Sequence, residues 1–210
     1  MEGIEKTYFQ SLYQLATTLN SARSPEAILH SIVEDVAKAM DAKGCSLLLL
    51  TPDKKELLRI AAHGLSNWYV RMGPVLTDKS MSESLEGKVV AVLDATTDDR
   101  VQFRKQVEKE GIASILSVPV KLREEVIGVM RVYSSEPRQF TDADAYFAGA
   151  AANFGAIALE SGKYYQTLQK NYDDFREELL QWHADLGYEW TAEESVMPPK
   201  EEVPRMPPGG

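Results

Sequence analysis

Arg131 is the residue whose type and place most demand chemistry. It sits inside Val126 to Ser134, a run that alternates in the manner of a half-buried strand. Strand parity puts Gly128, Met130 and Val132 on one face, suited to packing under helices, and Ile127, Val129, Arg131 and Tyr133 on the other. By the same parity Leu116, Val118 and Val120 of the preceding run point inward, which leaves Ile115, Ser117 and Pro119 on the Arg131 side. A guanidinium does not readily neutralise, and an unpaired buried charge costs on the order of several kcal/mol, so the position requires a partner or a ligand. Two readings satisfy it. In one, Arg131 pairs with Asp94 or another protein carboxylate, or reaches solvent. In the other, it orients an anionic small molecule in a cavity walled by Trp68, Tyr69, Met72, Phe103 and Tyr133, with Ser117 beside it.

No other set of residues makes a reaction centre. His30, His63 and His183 have no second ligand at metal spacing, and neither a CxxC nor an HExxH pattern occurs. No GxSxG elbow, GxxxxGK[S/T] phosphate loop or GxGxxG fingerprint is present. The single cysteine, Cys45, excludes an intrachain disulfide and a redox pair, and at the start of an apolar run it reads as a small buried hydrophobe. With no nucleophile and base to name, the expectation is a protein that is not an enzyme and carries no cofactor.

The elements that position Arg131 follow from pattern. Gly111 to Ser134 contains two strand-like runs, and the polar segment Leu122 to Glu125 between them predicts an antiparallel hairpin. Pro119 has no amide hydrogen, so its strand is expected to lie at an edge or a bulge there. Thr141 followed by Asp144 predicts a helix start, with Asp142 and Asp144 in the positive first turn. Upstream, Tyr8, Leu12, Leu15 and Leu19 share one helical stripe. Ser24 and Pro25 predict the cap and first turn of a second helix, with Ile28, Ile32, Val36 and Ala39 on one face and Leu29, Val33 and Met40 beside them. That helix is expected to pack on a sheet. Cys45 to Thr51 and Leu57 to His63, joined by the turn Pro52 to Lys55, predict a first hairpin. Lys88 to Leu93 predicts a further β run, and Val101 to Lys109 a short helix ending at Gly111. Between Leu65 and Glu86 the period is lost, and such loops on a rigid sheet commonly carry function.

The long C-terminal helix begins with small residues, Ala148, Gly149, Ala150, Ala151, Ala152, Gly155 and Ala156, which permit close approach of a neighbour held by burial of Phe147, Phe154 and Ile157. Farther on, Tyr164, Leu168, Tyr172, Phe175, Leu179, Trp182 and Leu186 form a seam of about three heptads. Such a seam needs a partner: either the N-terminal helix of the same chain or the terminal helices of a second subunit.

The chain resembles a GAF domain over roughly residues 4 to 165. The resemblance rests on Gly111-Ile112-Ala113-Ser114-Ile115-Leu116-Ser117-Val118-Pro119-Val120, on Val126-Ile127-Gly128-Val129-Met130, and on Phe140-Thr141-Asp142 leading into Ala156-Ile157-Ala158-Leu159-Glu160. Leu93-Asp94-Ala95-Thr96 with Asp98-Asp99-Arg100 adds turn residues such domains usually carry, which places Asp94 and Arg100 among the candidate ligand-side residues. The fold class it implies is α/β (α+β): a GAF/PAS-like central antiparallel sheet, with N- and C-terminal helices on one face and loops or short helices over the other. Of the ligand branches of the family, the bilin-binding one needs a cysteine in Leu65 to Lys109, and the cyclic-nucleotide one an Asn-Lys-x-x-Phe signature; neither is present. One cysteine argues against the methionine-sulfoxide reductase branch. Asp94, Asp98, Asp99 and Cys45 are too scattered for an iron site, and His63 alone makes a poor haem ligand.

The resemblance implies a non-catalytic signalling module that binds a small molecule or a partner protein and transmits through its terminal helices. It also implies a homodimer through those helices, with Tyr8, Leu12, Leu15, Leu168, Tyr172, Phe175, Leu179, Trp182 and Leu186 at the interface. The alternative is an accessory subunit of a larger enzyme complex. The organisation expected is a domain over 1–165, a helix extension over 166–190 and an extended or disordered tail over 191–210. That tail holds five of the ten prolines among glutamates, a composition suited to lying on a partner protein. A net charge of −9 with no Lys/Arg-rich run argues against nucleic acid. No apolar run reaches the roughly 20 residues of a bilayer span, and no leader opens the chain, so a cytoplasmic protein is expected.

Overall fold

A computed structural model describes residues 2–20, 24–77, 82–161 and 174. It joins the two expected hairpins into one antiparallel sheet. The strands are β1 (Gly44–Leu50), β2 (Glu56–His63), β3 (Val75–Leu76), β4 (Val90–Val92), β5 (Ser114–Leu122) and β6 (Glu125–Ser134), in spatial order β3-β2-β1-β6-β5-β4. β6, the strand of Arg131, therefore lies between β1 and β5. Pairing of β4 with β5 ends opposite Ser117, so β5 is the edge of the sheet at Pro119, and a register shift follows between Val120 and Lys121. The missing proline donor is harmless there. The two-residue β3 was not legible in the sequence.

Three helices cover one face: α1 (Glu2–Leu19), α2 (Pro25–Ala39) and α6 (Asp142–Ser161). Ser24 Oγ accepts from Ala27 N–H and Pro25 occupies the first turn, as expected. Leu29, Ile32, Val33, Val36 and Met40 of the α2 segment are buried against Leu47, Leu116, Val118, Met130 and Val132 of the sheet. Ala148, Ala151, Ala152, Gly155 and Ala156 are buried with them, which is the close approach the small residues of α6 were expected to allow. Phe147 is buried and Phe154 partly so. Ile157 is a correction: it is 48% exposed, on the narrow outward stripe of α6 that also carries Tyr146. So is Ile127. A bulge of β6 at the register shift lifts it out of alternation and into the helix-side core.

The stripe of α1 is used within the chain. Tyr8 and Leu15 are buried and Leu12 is partly buried against the helix-side core, with Tyr8 stacked on Phe147 at 4.3 Å between ring centroids. These residues were expected to meet a second subunit. Because α2 and α6 already cover them, the face of α1 left to solvent is the one carrying Phe9 and Tyr13.

Asp144 ties α1 to α6. Its Oδ2 accepts from Thr141 N–H (2.7 Å) and Thr141 Oγ1 (2.8 Å), while Thr141 Oγ1 in turn accepts from Asp144 N–H, which closes the cap expected from Thr-x-x-Asp. Its Oδ1 accepts from Tyr8 Oη (2.5 Å) and from the Arg138 guanidinium (2.9 Å). Arg138 also donates to the carbonyl of Met40 at the end of α2.

The chain divides into two units, Met1–Asn171 and Tyr172–Gly210. Leu168, Tyr172, Phe175, Leu179, Trp182 and Leu186 and the 191–210 tail lie outside the described residues.

Candidate functional site

The other face of the sheet is roofed by short pieces: α3 (Asn67–Val70), α4 (Ser82–Leu85), α5 (Arg104–Glu110) and the loops between them. α5 stops at Gly111, whose φ of 72° is the left-handed cap conformation that favours glycine. Under this roof strand parity places a polar row across three adjacent strands. Ser46 of β1 lies opposite Arg131 of β6, which lies opposite Ser117 of β5, and all three are buried. The Tyr133 hydroxyl shares a hydrogen bond of 2.8 Å with Ser46 Oγ. Tyr69 stands edge-on to Tyr133 at 6.2 Å between centroids.

Between the polar row and the roof is a cleft lined by Arg59, Tyr69, Met72, Gly73, Val75, Val101, Gln102, Phe103, Val107 and Arg131. It is nearly shut. Its cavity volume is ≈ 10 Å³, space for about one water. Four expected residues line it: Tyr69, Met72, Phe103 and Arg131. Ser117 and Tyr133 lie beside Arg131 on the floor. Trp68 is outside the lining, with its ring edge-on to Tyr69 and under the ammonium of Lys109 at 4.7 Å. Asp94 and Arg100 are also outside it, on the surface. Asp94 Oδ1 accepts from the backbone and hydroxyl of Thr96, and Arg100 forks onto Asp98 at 2.7 Å, so both brace the 94–104 loop.

Arg59 is the lining residue that strand reading missed. The parity argument that found Arg131 applies equally to β2, but a bulge between Leu47 and Leu48 makes Ile60 an extra residue and blurs the alternation of Leu57 to His63. Arg59 lies opposite Leu48, on the roofed face; Ala61, one step past the bulge, falls on the helix side. The guanidinium donates through Nη1 to the carbonyls of Tyr69 and Val70, each at 3.1 Å, and lies 5.1 Å from the Tyr69 ring centroid.

The electrostatics follow from these neighbours. Burial pushes the Tyr69 hydroxyl well above the ordinary phenol range, Tyr133 adds to the shift, and the Arg131 and Arg59 charges oppose it. Tyr69 is therefore a neutral wall at any physiological pH. Cys45 is fully buried in β1, and burial drives its thiol up, which keeps it protonated. Among the described residues no group of His, Cys, Asp and Glu is placed to hold a metal ion, and no helix is long and apolar enough to cross a membrane.

A sequence model of the GAF domain matches residues 22–160, which takes in the whole sheet and α2 through most of α6. The chain belongs to the GAF family. GAF domains are generally regulatory or sensory modules rather than catalysts, and the architecture above is theirs. The GAF domain of a phosphoenolpyruvate-protein phosphotransferase from Coxiella burnetii superposes with a TM-score of 0.70 at 19% identity, covering 78% of this chain and 99% of that one. The corresponding domain from Acinetobacter gives 0.60 at 22% identity over 74% and 94%. A free methionine-R-sulfoxide reductase from Neisseria meningitidis, in complex with its substrate, gives 0.62 at 17% identity over 75% and 90%. At these identities the likeness is one of fold. Among curated proteins, none matches this GAF domain by sequence.

Proposed function

We propose that this GAF domain is a non-catalytic regulatory module that binds a small anionic molecule in the cleft under α3 and passes the change to partners through its terminal helices. The carrying observation is the meeting of two guanidiniums, Arg59 and Arg131, in the lining of one mostly apolar cleft. An anion placed there gains charge-assisted hydrogen bonds in surroundings where they are strongest, and the walls of Tyr69, Met72, Phe103 and Val107 suit a small apolar body behind the charge. Signal transfer requires a ligand that favours one arrangement of the helices over another. α6 packs on one face of β5 and β6 and the cleft floor lies on the other face, and α1 packs on α6, so the same strands join the cleft to the terminal helices. The module acts in the cytoplasm as a homodimer through its terminal helices.

Calorimetric titration with small carboxylates and phosphates tests the cleft. Saturable binding of one of them is expected, weakened at least about 30-fold in Arg131→Met with an unchanged circular dichroism spectrum. Binding that survives in both Arg131→Met and Arg59→Met would put the anion elsewhere. The second reading, an accessory subunit that works by protein contact, is favoured by Phe9 and Tyr13, 73% and 71% exposed on α1. It gains if none of the anions binds.

A further inference from the structure

A cleft with room for about one water must open to take a ligand, and its walls differ in how firmly they are held. The floor belongs to the hydrogen-bonded ladders of β2 and β6. α5 is anchored by buried Val107 and closed by the bonds of Gly111 and Ile112 back to Glu108 and Val107. The 65–74 segment is different. Its described backbone-to-backbone bonds, Val70 to Ser66 and Arg71 to Asn67, lie inside the single turn of α3, and none reaches a strand. Two charged side chains clasp the turn at its ends. At the start, the buried Glu110 carboxylate accepts from Ser66 N–H at 2.8 Å and from Ser66 Oγ. At the end, Arg59 donates to the carbonyls of Tyr69 and Val70. Acid at the amino end and base at the carboxyl end also agree with the polarity of the turn.

We infer that Arg59 is a second anion-binding residue of the cleft and, at the same time, the latch of a lid formed by α3. A carboxylate or phosphate head on a small apolar body takes the place of the Tyr69 and Val70 carbonyls on the guanidinium, and α3 is released. This rests on the reading of the cleft as an anion site. Three observations carry the exchange. Arg59 lines the cleft and holds the lid with the same group. Its Nε is buried and has no hydrogen-bond partner among the described residues, so the guanidinium has a donor to spare for an incoming oxyanion. An ionised acceptor makes bonds roughly twice as strong as a neutral one, so the anion compensates for the loss of the lid contacts more fully than the water that enters when α3 lifts without a ligand. Ligand charge and lid position are thereby linked through one residue.

Hydrogen exchange by mass spectrometry on the full chain separates the two halves. Without ligand, Arg59→Met is expected to speed exchange over residues 64–74 roughly tenfold, and Glu110→Gln to do the same from the other end of the turn. The exposed-site control Glu34→Gln leaves the segment as in wild type. Benzoate and inorganic phosphate are the probes. A saturating amount of whichever binds speeds exchange of 64–74 in wild type and adds nothing in Arg59→Met. Unchanged exchange in both ligand-free variants overturns the latch. Bound probe with unchanged or slower exchange of 64–74 in wild type overturns the coupling. Failure of both probes to bind overturns the anion reading of the cleft, and the ligand-free comparison still decides whether Arg59 holds the lid.

Discussion

Replacing Asp144 with alanine is expected to destabilise the domain by about 3–5 kcal/mol, measured as the shift of a urea unfolding midpoint. One carboxylate, almost wholly buried, accepts from Tyr8, Arg138 and both donors of Thr141. Its removal strands a cation and a phenol, uncaps α6 and removes the hydrogen bond that ties Tyr8 of α1 to it. Burial by itself pushes the Asp144 carboxyl up, but the Tyr8 and Thr141 hydrogen bonds and the Arg138 charge together outweigh it and hold the group below its ordinary value. The sign of the pH dependence follows. The folded state binds this proton less readily than the unfolded chain, so the stabilisation is present above the unfolded value of about 3.9 and fades as pH falls through the lower folded one. Asp144→Asn should show a flatter stability profile below about pH 5 than wild type. A full-strength midpoint in Asp144→Ala would remove the network from the account.

Gly128→Val is the other large effect, expected to cost about 3 kcal/mol or more in the same assay. Gly128 lies in β6 opposite Leu49 of β1 and Val120 of β5, and a Cβ there would stand 2.2 Å from the carbonyl oxygen of Leu48. The obstruction is backbone, so no side-chain rearrangement relieves it, and the strand must shift against β1. Arg131, three residues along and opposite Ser46, shifts with it. Gly128 is on the helix side with Leu49 and Val120, as parity expects, and its nearest neighbour there is the backbone of the adjacent strand.

What sequence could and could not reveal divides along a physical line. Hairpins, caps and the α2 face are decided by residues near one another in the chain, and Thr141, Ser24 and Gly111 do in the structure what their types suggest. Arg131 lies on the face that parity expects because β6 alternates regularly past its bulge, from Gly128 onward, and parity there is also local. Bulges are set by pairing between strands, and both misplacements on the sheet, Ile127 put on the wrong face and Arg59 overlooked, lie beside one. The stripe of Tyr8 and Leu15 shows that a surface is buried without saying by what, and the answer for these two is α2 and α6 of the same chain. Asp94 and Arg100 came from family likeness alone, and their carboxylate and guanidinium are spent on their own loop.

Everything proposed for the Arg59 and Arg131 cleft depends on its holding a small anion. Native mass spectrometry of the untagged protein, taken gently from its own cells, tests it most directly. A discrete small added mass is expected that disappears on denaturation and is absent from Arg131→Met prepared in the same way. Bare subunits, or subunits joined only to a second polypeptide, would contradict it.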